Sequence, residues 1–415
     1  MPVRGEPFDG LRTGLSNHFP AANEILRRAQ DDSYSQSRVR ANAPFVTLLL
    51  SMHRITKNTD SPLPVRRTIA VLLAVLVPVL LLSACLGDAT PNPRVAFPQD
   101  EGPHEDPIEW WYFNGLLTDD RGNEYSYHYV TFQSRGIGTA VPHLLQASLG
   151  DHTAGAHLTG EKPVILQVEP GAAGVDVEIS GWEMRGDGTT YNLKFALGGY
   201  VLDLQATSER QPVLHGGDGL VHLGPAGNTF YYSRTRLNVS GFIETGPGTE
   251  GTQRAVTGTS WMDHQWGEVS GQQVGWDWTS IQLDDGTDLM AVELWDPDGH
   301  QQFARYGTFV FADGTVRHLL EEDVSITSSD SWGSPETGIV YPLDWTVEVD
   351  TLDLALDLTP VLENSEFGSS NFINAAYWEG EVSVSGTRNG KIVSGRGFVE
   401  LVGYDPRQLE APGSP

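Results

Sequence analysis

The chain has 415 residues with 46 Gly, 25 Pro and 11 Trp, only 19% charged side chains and a net charge of −28. That length leaves room for two domains, and a turn-rich, tryptophan-rich composition suits an all-β protein better than a helical one. The acidic balance excludes nucleic acid as a partner, because a negative field repels it, and a single cysteine excludes any internal disulfide.

Residues 1–51 show no sustained apolar period and precede a segment that belongs at an N-terminus, so they read as an extension outside the fold, with Met52 the better start. Within 52–85, the run RRTIAVLLAVLVPVLLLSAC has two arginines, a short apolar stretch, then small residues and Cys85. This is the form of a secretory signal. Its end, Leu82-Ser83-Ala84-Cys85, resembles a bacterial lipobox, so Cys85 is the expected lipidation site. The expected location is the extracytoplasmic face of a bacterial cell envelope, where two acyl chains suffice for stable anchoring. Residues 86–415 then carry 16 basic and 48 acidic side chains.

Residues 86–106 are rich in Pro, Gly and acids and are expected to form a tether. From 107 onward, strand-like runs alternate with turn signals: WWYFNGLL, DDRGN, EYSYHYVTFQ; YNLKFAL, GG, YVLDLQA; later WDWTSIQL, DDG, TDLMAVELW, DPDG, HQQFARYGTFVF, ADG, TVRHLL. These are hairpins of an up-and-down sheet. The pattern occurs twice, which predicts an all-β chain of two barrel domains, 107–268 and 269–406, in contact through 246–271.

In EWWYFNG (109–115) both strand faces carry bulky aromatics, so both should be covered or line a cavity. Trp110 and Asn114 share one face and are candidate ligand contacts. A second cluster spans 258–280, GTSWMDHQWGEVSGQQVGWDWTS, and sets Asp263, His264 and Asp277 among Trp261, Trp266, Trp276 and Trp278. It has no metal-ligand spacing, and no GxSxG elbow, phosphate loop or CxxC is present, so neither a metal nor a cofactor is expected. Carboxyls beside indoles suit protonation of an electron-rich carbon, since a buried acid can stay protonated and indole faces attract cations. The same residues could instead plug a barrel end, with indole N–H bonded to carboxylate.

EWWYFNG, LDLQATSERQPVLHGGDG, YYSRTRL, VTGTSWMDHQWG, GWDWTSIQLDDGTDLM, WGSPETGIVYPLDW, YWEGEVSVSG and GFVELVGY, in this order from about 98 to 405, resemble the AttH/CrtC-like family. That family includes carotenoid 1,2-hydratase, also called hydroxyneurosporene synthase. The resemblance implies two lipocalin-like β-barrels, an apolar isoprenoid or polyketide-like ligand, and addition of water to a C=C bond without a cofactor. Fungal relatives act as pericyclases. Of the His-x-Trp and Tyr-x-Asp pairs associated with catalysis, the first is present as His264 and Trp266; the second falls on Ala291 and Glu293, which lacks the tyrosine. The expected proton-handling set is Glu293, His264 and Asp263. Trp266, Trp276 and Trp278 form the expected cation-stabilising wall, and Asp277 is a further ligand contact. A two-residue turn at Asp285-Gly286 would set Trp278 opposite Glu293, and a three-residue loop would set Asp277 there instead. The rival reading is a non-catalytic lipid or pigment carrier.

Overall fold

The computed structural model describes residues 94–135, 140–168, 173–244, 252–269, 274–368 and 375–406. The expected extension, signal segment and Cys85 lie outside these. Residues 91–415 form one compact unit.

Twelve strands make the first sheet: β1 (Ile108–Asp119), β2 (Glu124–Ser134), β3 (Ala140–Asp151), β4 (Ala156–Gln167), β5 (Val175–Ile179), β6 (Trp182–Gly186), β7 (Thr190–Leu197), β8 (Tyr200–Ser208), β9 (Val213–Leu214), β10 (Leu220–His222), β11 (Gly227–Glu244) and β12 (Gln253–Val269). The second sheet holds β13 (Gly275–Leu283), β14 (Asp288–Asp296), β15 (Gln301–Val310), β16 (Val316–Leu319), β17 (Val324–Gly333), β18 (Val340–Val349), β19 (Leu354–Pro360), β20 (Glu366–Phe367), β21 (Tyr377–Arg388) and β22 (Lys391–Val402). Only single 3₁₀ turns interrupt this among the described residues, and each sheet curls into a barrel around its own core.

The strand orders are β4-β3-β2-β1-β12-β11-β8-β7-β6-β5 and β16-β15-β14-β13-β22-β21-β19-β18-β17. Hairpins account for most neighbours, and the closing pairs β1·β12 and β13·β22 join the beginning of each domain to its end. Local turn chemistry sets the registers. Gly198 and Gly199, with φ of 55° and 94°, make the tight β7–β8 turn, where two residues of positive φ match the twist of a hairpin.

Period two decides which side chains meet. On β1, Trp111, Phe113 and Leu117 enter the first core, whereas Tyr112 belongs to a third cluster between the sheets, with Trp110 packed against it. On β13 and β14, Ile281, Leu289 and Ala291 fill the second core, while Trp278, Met290 and Val292 face the first sheet. The two barrels therefore share an apolar seam built from strand faces; from the expected 246–271 joint β12 contributes Trp261 to it, and 245–251 and 270–273 lie outside the described residues.

Residues 94–106 are no tether. Val95 is buried in the first core, and Glu101, buried, pairs with Arg234 and accepts from the hydroxyls of Tyr191 at 3.2 Å and Tyr232 at 2.7 Å. The His104 ring stacks on Trp266 with centroids 3.9 Å apart. This stretch plugs the first barrel; its Glu101 is an ion-pair partner, a role that composition does not disclose.

Candidate active site

Between the sheets lies a cavity of about 270 Å³, lined by strands from both. Ile108, Trp110, Phe132, Leu223, Val274, Trp276, Leu294 and Val402 make most of it apolar. Asp263 from β12, Tyr231 from β11 and Glu400 from β22 bring acidic groups to the same space.

Asp263 is held from three sides. Tyr231 donates to Oδ2 at 2.7 Å, the Trp261 indole N–H donates to Oδ1 at 2.6 Å, and Ser233 Oγ donates to Oδ1 as well. Burial pushes the carboxyl up to about 6, although these three donors oppose it. Behind Ser233 stands His215, buried, with Nε2 2.7 Å from Ser233 Oγ and Nδ1 2.9 Å from Thr308 Oγ1 on the second sheet. Burial, with help from His318, pushes His215 down to about 3, so it is neutral. Ser233 has one proton and gives it to Asp263. His215 therefore carries its proton on Nε2 and accepts from Thr308 on Nδ1.

Glu400 accepts a hydrogen bond from the Trp276 indole N–H at 3.0 Å, and burial pushes it up to about 7 against that bond. Its cross-strand partner is Glu379 on β21, which is fully buried and accepts from Tyr112 at 2.7 Å. Burial, then repulsion from Glu400, holds Glu379 well above the usual carboxyl range. Among the described residues Glu379 Oε2 has no hydrogen-bond partner, and burial without partners favours the neutral carboxyl over the charged one. Trp278 donates its indole N–H to Tyr231 at 3.1 Å. The two tryptophans of WDW thus each hold one of the polar groups at the acidic end of the cavity, Glu400 and Tyr231.

The other expected residues go elsewhere. His264 and Trp266 point into the first barrel, on the face of β12 opposite Asp263. His264 Nε2 lies 2.7 Å from Glu109 Oε1 and Nδ1 lies 3.2 Å from the Tyr232 hydroxyl. Burial lowers the His264 pKa despite Glu109. Glu109 also receives the His104 ring at 2.8 Å, the His104 backbone N–H at 2.9 Å and Gln133 at 2.8 Å. Burial works against its ionisation, but these imidazole partners win and hold it low, and His104 is raised in turn, burial notwithstanding. The ligand atoms of His104, Glu109 and His264 lie within 4.8 Å of one another, a set from which a metal site could be built; here they bond each other directly and clamp the plug.

Glu293 does not join Asp263 or His264. It sits on the second-barrel face of β14, half-buried, 3.2 Å from Arg305. The β13–β14 loop settles the pairing. Gly286 has φ of 82° and closes a three-residue loop, so Asp277 faces Glu293 across the ladder. Asp277 points away from the large cavity and accepts from Tyr404 at 2.9 Å and Trp295 at 3.2 Å, and burial pushes it up to about 7 against these bonds. Asn114 faces the seam and donates to the Tyr112 hydroxyl at 3.1 Å and Ser280 at 3.0 Å, so it supports the wall. Of the nine expected protein-site residues, Asp263, Trp110, Trp276 and Trp278 line the cavity.

The AttH-like family model matches residues 88–404. The chain belongs to the AttH-like family. Kievitone hydratase of Fusarium solani subsp. phaseoli is 25% identical over 200 residues, 48% of this chain and 56% of that protein. Dehydratase asqC of Emericella nidulans is 26% identical over 224 residues, 52% of this chain and 61% of that protein. The chain therefore spans little more than half the length of these curated relatives. Among solved structures, an AttH protein of Nitrosomonas europaea superposes with a TM-score of 0.66 at 28% identity, over 77% of this chain and 100% of that one. Kievitone hydratase of Nectria haematococca gives 0.61 at 18% identity, over 76% and 94%; this second likeness is one of fold.

In this AttH-like chain the acid that shares the cavity with Asp263, Glu400, comes from β22, more than a hundred residues away, with Glu379 of β21 beside it across the ladder. Glu379 and Glu400 had one readable signal: each adjoins core residues on a strand, Trp378 before Glu379, and Val399 and Leu401 around Glu400. An acid at the alternate position of a strand covered on both faces must itself be buried.

Proposed function

We propose that this protein is a hydro-lyase of the hydratase type that adds water to a C=C bond of a small, largely apolar, isoprenoid-type molecule held between its barrels. The observation that carries this is the meeting of Glu400, near 7, and Asp263, near 6, in one apolar cavity. In the reaction the Glu400 carboxyl gives its proton to the alkene carbon, and the resulting tertiary cation sits among the Trp276 and Trp278 indoles. Water adds to the cation. Its surplus proton passes to the Tyr231 oxygen as the Tyr231 proton moves to Asp263 along their 2.7 Å bond. Solvent exchange returns the proton from Asp263 to Glu400. Run backwards, the same steps dehydrate a tertiary alcohol.

The names of the relatives, kievitone hydratase and dehydratase asqC, support this reaction class. The family resemblance makes acyclic carotenoids one candidate class, and the apolar lining suits the tail of any prenyl group. Assay against prenylated and acyclic terpenoid alkenes in ¹⁸O-water is expected to show label in a tertiary alcohol. Glu400→Gln and Asp263→Asn should each lower turnover by roughly 10²–10⁴-fold while ligand is still bound. Turnover unchanged in Glu400→Gln would remove the acid role, and binding without turnover on any alkene would make the protein a carrier.

The envelope location belongs to the same reading: Cys85, after LLSA, is the acylated residue that holds the enzyme at a membrane where apolar substrates collect. Cys85→Ser should leave the protein unprocessed or release it from membranes, as read by fractionation and mass spectrometry of the N-terminal peptide.

A further inference from the structure

The cavity has a second polar pole that the hydration steps do not use. His128 on β2, Gln146 on β3 and Tyr377 on β21 all line it. Tyr377 donates its hydroxyl to Gln146 Oε1 at 3.2 Å and lies 3.4 Å from His128 Nε2. His128 Nδ1 is in turn 2.8 Å from Ser148 Oγ. The Tyr377 ring is fixed by stacking on Phe367, with centroids 5.0 Å apart and planes at 8°. The trio is therefore held from both sheets.

Gln146 stands out within it. The residue is 1% exposed, yet among the described residues its Nε2 makes no hydrogen bond. A carboxamide has four hydrogen-bonding positions, and burial without partners is costly. An amide N–H pair facing a cavity, with the carbonyl end already fixed by a tyrosine, is a preorganised donor for an oxygen brought in by a ligand. His128 cannot take that role as a cation, because burial keeps it neutral, down to about 3. Among His128, Gln146 and Tyr377 there is thus no cation, and with Glu379, Glu400 and Glu161 acting on Tyr377 the group does not suit a carboxylate or phosphate.

We propose that Gln146, steadied by Tyr377 and His128, anchors an uncharged acceptor oxygen of the substrate, a ketone, ether or phenol, so that this cavity takes oxygenated prenyl-type molecules in preference to pure hydrocarbons. The oxygen sits at the Gln146 amide and the alkene at the Glu400 end, a two-point grip that orients the double bond. The inference rests on the hydratase reading for which bond reacts, but its binding half stands without it.

The test compares two probes, geranylacetone and the diene hydrocarbon in which a methylene replaces its carbonyl. Binding to the full chain is followed by quenching of tryptophan fluorescence, since Trp110, Trp276 and Trp278 line the cavity. The parent should prefer the ketone on the order of tenfold, the worth of one hydrogen bond at a prepared site. Gln146→Leu should abolish that preference and leave hydrocarbon binding equal or tighter. Gln146→Met, with a more flexible side chain, guards against misfolding in the leucine variant, and circular dichroism checks both. A ketone preference that survives in Gln146→Leu and Gln146→Met overturns the anchor, as does a parent that binds the ketone no better than the hydrocarbon or not at all. The two readings separate cleanly: loss of preference with no turnover in any variant keeps the anchor and removes the hydratase, whereas ¹⁸O incorporation without ketone preference does the reverse.

Discussion

Asp263 and Glu400 face one cavity with different proton affinities, and this makes the pH profile of turnover diagnostic. Hydration needs Asp263 ionised and Glu400 protonated. Below about 6 Asp263 takes up a proton and the base is lost; above about 7 Glu400 releases its proton and the acid is lost. A narrow bell between these limbs is expected in kcat/KM, with apparent values that belong to the coupled cluster rather than to single residues. A flat profile from pH 5 to 9 would show that neither group limits the reaction. At this scale the sequence reveals part of the site. Asp263, Trp276 and Trp278 are legible because acids and indoles crowd one short segment. Alternation also separates Asp263 from its neighbour His264, but which face looks into the cavity depends on where the second sheet packs. No local pattern carries that information.

Among the elements, the segment 94–106 departs furthest from its composition. Its Pro, Gly and acids suggest a linker, yet Glu101 is the partner of Arg234 inside the first barrel, and both side chains are under a tenth exposed. Glu101→Ala leaves that guanidinium buried without its counter-ion and should destabilise the protein by about 3–5 kcal/mol, the usual cost of breaking a buried pair from one side. The urea midpoint measures this, with Glu101→Gln expected to cost less because it still accepts a hydrogen bond. A loss below about 1 kcal/mol, the scale of a surface ion pair, would mean that the plug contributes little. The β13–β14 hairpin shows the opposite balance. Its strands are plain from the alternating apolar pattern, while its register rests on one loop residue, since Gly286 at positive φ sets Asp277 rather than Trp278 against Glu293.

For the whole molecule, the two-domain, all-β outline was readable because hairpin signals recur in both halves, and turn residues act locally. The seam was not, because it depends on contacts between residues far apart in sequence. Asp288 of β14 bonds Arg210 at 2.7 Å and Arg236 at 2.6 Å, Arg396 of β22 bonds Glu124 at 2.7 Å, and a shared apolar cluster lies between the sheets. With so much of each barrel's surface buried against the other, residues 94–406 should unfold in a single calorimetric transition whose van't Hoff and calorimetric enthalpies agree. Two resolved transitions would show that each barrel stands alone. The strict alternation along the seam strands has a consequence for how such a protein can change. Trp276, Val292, Leu294 and Val402 touch the ligand space, while Ile281, Ala291, Val399 and Leu401, on the other face of the same strands, fill a barrel interior. Replacements restricted to every second position would reshape the ligand's surroundings and leave the barrel cores intact, so selection can move this scaffold between substrates by small steps, each of which still folds.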